Sequence, residues 1–91
     1  MTHEYVTTLA PQDVLMRAKE FFAERNPLYA AYPEKEGPAY LVLRGQGGEE
    51  VAFAVSQVDG RTRIRASTLL FDQAVDRFLS TLPPAFAEAT R

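Results

Sequence analysis

A chain of 91 residues, 46% hydrophobic and 24% charged, has room for one hydrophobic core and none for a second, and its composition lies far from that of disordered chains. Its net charge of −2 supplies no global positive field toward phosphate backbones or anionic membranes, so nucleic acid binding would need a local patch. The absence of cysteine excludes disulfides, thiolate nucleophiles, Cys-type zinc sites and iron–sulfur clusters.

The first residues carry neither a basic nor an apolar leader pattern, which sets cytoplasmic location as the expectation. The longest strongly apolar stretches, 40–43 and 69–71, fall far short of the ~18 residues of a membrane span. Between Glu4 and Leu9 the β-branched and aromatic residues predict a first strand, which runs through Ala10-Pro11 into a helix. Val14, Leu15, Ala18, Phe21 and Phe22 recur at helical spacing, with Asp13, Arg17, Lys19, Glu20 and Glu24 on the other side, and predict that helix over 11–25. Asn26-Pro27 ends it, because the residue before a proline is pushed out of the helical region.

Residues 28–32 and 39–44 read as two strands of a hairpin, with the proline- and glycine-containing segment 33–38 as its loop. Gly45-Gln-Gly-Gly48 then turns the chain into a strand at 50–55. A phosphate-cradle reading of these glycines fails on context, since a strand follows where a helix N-terminus is needed. Asp59-Gly60 between two alternating runs is a strong hairpin signal. A two-residue turn there pairs Val58 with Arg61, Val55 with Ile64, Phe53 with Ala66 and Val51 with Thr68. Hydrophobic alternation independently gives the same register, with Val51, Phe53, Val55, Ile64 and Ala66 on one face and Arg61, Arg63 and Arg65 on the other. Phe71, Ala74, Val75, Phe78, Leu79 and Leu82 predict a last helix, stopped by Pro83-Pro84. Residues 1–84 are thus expected to form one domain and 85–91 a flexible tail.

Two amphipathic helices each need somewhere to bury one stripe, and an antiparallel meander offers one apolar face. The expected fold class is α+β: a two-layer sandwich in which a five-stranded antiparallel sheet carries two helices on one face, in the order β-α-β-β-β-β-α. This order, with Ala10-Pro11-Gln-Asp-Val14 opening the first helix and Phe78-Leu79 closing the last, resembles the TATA-binding-protein-like fold and a minimal helix-grip (START/Bet v 1-like) domain. The helix-grip resemblance implies a small hydrophobic ligand between the C-terminal helix and the sheet, which here would be lined by Phe53, Phe71 and Phe78. The chain differs from helix-grip proteins in lacking their extra strands and long final helix.

Catalytic equipment is sparse. His3 is the only histidine, near the N-terminus, and reads as an incidental surface residue; the acids are scattered or sit in solvated runs, and no catalytic residue, metal site or cofactor is assigned. The helix-free face is the surface to test. It would carry Tyr40, Val42, Arg44, Ala52, Ala54, Arg61, Arg63 and Arg65, together with Glu4, Val6 and Thr8. One reading is a solvated face on which arginine stems lie over small alanines and a head group pairs with Glu4. Another is an interface for a protein partner, with a homodimer as the first case, since tyrosine and arginine are favoured at hot spots. A third is a nucleic acid platform, for which only Tyr40 could stack and which the net charge disfavours.

Overall fold

The structure of the chain is a computed structural model that describes residues 2–24 and 30–85. Its elements are β1 (Thr2–Thr7), α1 (Pro11–Glu24), β2 (Ala31–Glu36), β3 (Tyr40–Gly45), β4 (Glu50–Val58), β5 (Arg61–Thr68) and α2 (Asp72–Ser80). All five strands join one antiparallel sheet in the order β1-β5-β4-β3-β2. The α+β arrangement and the element order are those expected from the sequence.

The β4–β5 hairpin shows why. Asp59 and Gly60 both take positive φ, 54° and 77°, the conformation a two-residue turn needs to match strand twist. The pairs Val58–Arg61, Val55–Ile64, Phe53–Ala66 and Val51–Thr68 follow, and Val51, Phe53, Val55, Ile64 and Ala66 are all buried. They form a single core with Val14, Leu15, Ala18, Phe21 and Phe22 of α1 and Ala74, Val75, Phe78 and Leu79 of α2. Both helices therefore cover the same face. Pro11 opens α1, where its missing N–H costs nothing, and the Ala10 carbonyl accepts from the Asp13 and Val14 amides.

Three boundaries differ from expectation. β1 begins and ends two residues early, because the Thr7 hydroxyl accepts the Leu9 amide at 3.3 Å and turns the chain out of the sheet, leaving Leu9 only partly buried. β2 lies on Ala31–Glu36, so Pro33-Glu-Lys-Glu36, read as loop, is mostly strand. An edge position and a register shift between Pro33 and Lys35 make this possible, since an outer strand can lack a proline N–H. Residues 28 and 29 of the expected strand lie outside the described residues. α2 ends at Ser80, where Thr81 turns back on the Phe78 carbonyl through both amide and hydroxyl, yet Leu82 beyond it is buried.

Ala85, the first residue of the expected tail, is held in place, and the rest of that tail lies outside the described residues. Ala85 is buried and its amide donates to the Val6 carbonyl at 3.0 Å, while Thr7 and Pro84 form a bridge. The Thr7 hydroxyl donates to the Pro83 carbonyl and the Tyr5 hydroxyl to the Leu82 carbonyl. This segment covers the Val6–Thr8 end of the outer edge of β1. The other edge, β2, is blunted by its proline, its lysine and its bulge.

Candidate functional site

Strand register assigns the helix-free face residue by residue. One row across the sheet reads Thr2, Ser67, Ala52, Val42 and Lys35; the next reads Glu4, Arg65, Ala54 and Tyr40. Arg63 and Ser56 lie beyond the second row, beside Val6, and Arg61 and Val58 lie beyond those. On the other side of the first row stand Glu50, Arg44 and Tyr32. The structure thus brings Tyr40, Val42, Arg44, Ala52, Ala54, Arg61, Arg63 and Arg65 onto one surface. The middle of that surface is made of small side chains, which would let another sheet approach to the ~10 Å spacing of packed sheets.

The charges are organised at the two ends. Arg44 donates to Glu34 Oε1 from Nε at 3.0 Å and from Nη2 at 2.7 Å, to the Gly48 carbonyl from Nη1 at 2.9 Å, and to Glu50 from Nη2 at 3.3 Å. The bond and charge of Glu34 lead in raising its pKa, and Glu50 adds to them, so the guanidinium is held more firmly in its charged form. This end has two carboxylates for one guanidinium. At the other end Arg65 meets Glu4 at 3.7 Å, both largely exposed, and Arg63 has no ion partner among the described residues. With Arg61, three guanidinium groups stand at this end beside the carboxylates of Glu4 and Asp59. Local pairing of Arg44 and Arg65 leaves little field for a phosphate backbone.

Tyr40 is set by Gly37, over which its ring lies so closely that a Cβ there would collide with it. The Gly37 amide donates to the Tyr40 carbonyl and closes the β2–β3 turn. Tyr32, opposite Arg44 and half exposed, is a second aromatic on this face, which the sequence reading missed because it took the following residues as loop. Leu69 and Leu70 were missed as well. They are 86% and 67% exposed, and with Arg44, Gly47, Gly48, Glu49 and Glu50 they line an open cleft of about 370 Å³ at the Glu50 end of the face. Alternation continued past Ser67 would have placed Leu69 there.

Phe53, Phe71 and Phe78, expected to line a ligand site, instead pack with one another and with α1. Phe53 and Phe78 stand 5.6 Å apart, Phe22 and Phe71 are stacked at 6.4 Å, and all are buried. All four belong to the hydrophobic core. A cleft of about 420 Å³ opens between the two helices, with Phe21 and Phe78 on its lining and Arg17, Glu20 and Thr81 around them.

His3 is not incidental. It sits in β1 on the helix side, and its Nε2 lies 2.8 Å from Asp72 Oδ1, tying the first strand to the first turn of α2. Among the described residues no three or more His, Asp or Glu side chains converge to hold a metal ion, and no helix is long and apolar enough to cross a membrane.

No family model, curated protein or solved structure matches the chain. The resemblance to TATA-binding-protein-like and helix-grip domains therefore rests on element order and a short phrase, and function is argued from the face itself.

Proposed function

We propose that this chain is a non-enzymatic interaction domain that self-associates through its helix-free sheet face. The observation that carries the reading is the row of small residues, Ser67, Ala52 and Val42, with Ala54 beside it, set between two charged ends and flanked by exposed Tyr32 and Tyr40. A partly apolar centre with tyrosine and arginine around it has the composition of interface cores and hot spots. One edge of the sheet is blunted by the proline and bulge of β2 and the other is covered at its Val6–Thr8 end, which favours the face over the edges. A second copy gives each sheet the cover that its own helices provide on one side only.

The face is large enough. Five strands at about 4.8 Å and a mean length near 23 Å give a plane of about 550 Å² per copy, or about 1,100 Å² for a pair, just above the ~1,000 Å² that separates specific interfaces from incidental ones.

Light scattering after size exclusion, on the wild type and on Ala54→Glu, tests the reading. A wild-type dimer that becomes a folded monomer on substitution is the expected result. A wild-type monomer, or a dimer indifferent to Ala54→Glu, overturns it. A monomer that binds a single-stranded oligonucleotide with steep salt dependence would transfer the face to nucleic acid, where Tyr32 and Tyr40 would serve as stacking rings.

A further inference from the structure

The face is complementary to itself in one orientation. Glu50 and Ser56 lie at opposite ends of the exposed stretch of β4, six residues and about 20 Å apart, with Ala52 and Ala54 between them. The Glu50 end holds a surplus carboxylate, because Glu34 and Glu50 share Arg44. The Ser56 end holds a surplus guanidinium, because Arg63 stands directly across from Ser56 and Arg65 already meets Glu4. Apolar exposure is divided in the same way: Leu69 and Leu70 project at the Glu50 end, and half-exposed Val58 lies at the other.

Resting on the self-association reading, we infer that two copies pair face to face about a two-fold axis that crosses the strands between Ala52 and Ala54. This orientation lays the Glu50 end of each copy on the Arg63 end of the other. It brings Glu50 of one copy to Arg63 of the second, and Leu69 and Leu70 toward Val58, each contact occurring twice as an isologous interface requires. On β4 the small Ala52 and Ala54 straddle the axis, and on the strands beside it Ser67 faces Arg65 of the second copy and Val42 faces its Tyr40. Turning the second copy about an axis parallel to the strands would instead place like ends together, with carboxylate surplus on carboxylate surplus.

The test is a charge exchange, measured by light scattering and sedimentation on the full chain. Glu50→Arg and Arg63→Glu each place like charges in both symmetry-related contacts, and each is expected to weaken the dimer about 10- to 100-fold. Both positions are exposed, and Arg44 keeps Glu34 when Glu50 is replaced, so thermal melts should show both variants folded. Mixed in equal amounts, the two variants are expected to form a heterodimer near wild-type affinity, since one contact then carries its charges exchanged and the other is the native Glu50–Arg63 pair. Ala54→Glu runs beside them as the control for the face. If it dissociates the dimer while the charge variants do not, or if the mixture stays monomeric, this orientation is wrong and the face reading stands. If it leaves the dimer intact, the face reading itself falls and the orientation with it.

Discussion

Thr7 shows how much a single polar side chain can carry in a small core. It is fully buried, its hydroxyl donates to the Pro83 carbonyl at 2.6 Å and accepts the Leu9 amide, and across the β1–β5 ladder stands Thr62, whose hydroxyl donates to the Leu9 carbonyl at 2.6 Å. Thr7→Val keeps the shape and removes both bonds, leaving the part-buried Leu9 amide without its acceptor while the Pro83 carbonyl keeps the Thr8 amide. It should cost about 1–3 kcal/mol, read as a lower urea midpoint at unchanged slope. Leu69 is the converse case. In the monomeric Ala54→Glu background, Leu69→Ser should change stability by no more than about 0.5 kcal/mol, because the side chain buries almost nothing within its own chain. Hydrophobicity in the sequence does not distinguish Leu69 from Phe71 two positions on; the turn out of β5 does, sending Phe71 under α1 and Leu69 into solvent.

At the scale of elements, the β4–β5 hairpin was legible in full because two local signals agree on one register. Gly60→Ala, at a φ of 77°, should destabilise the chain by about 1–2 kcal/mol, whereas Asp59→Asn at φ 54° should be nearly neutral, as thermal melts would show. β2 was not legible, because its strand state depends on its being an edge, and edge position is a property of the sheet. The cover on β1 was equally hidden: a segment after two prolines reads as tail until the β1 carbonyls it meets are placed. A chain ending at residue 82 should lose protection of the Thr8 amide, which donates to the Pro83 carbonyl, in hydrogen exchange.

For the molecule as a whole, the proposed self-association would make thermal stability depend on concentration. The wild-type Tm should rise with protein concentration, and that of Ala54→Glu should not. Because the proposed contacts between ends are ionic and lie near the rim, added salt should weaken the dimer while leaving the monomer fold largely intact. Sequence alone determined the α+β order, the helix spans to within a residue or two, the arginine face and nearly all of the core, because these follow from period, turn chemistry and alternation within about twenty residues of chain. Only the tertiary structure decided that β2 is a bulged edge bearing Tyr32, that Glu34 and Glu50 share Arg44, that the phenylalanines close on one another, and that the ends of the face carry opposite surpluses. Each of those depends on which strands become neighbours and which charges then meet, and no local pattern of residues encodes it.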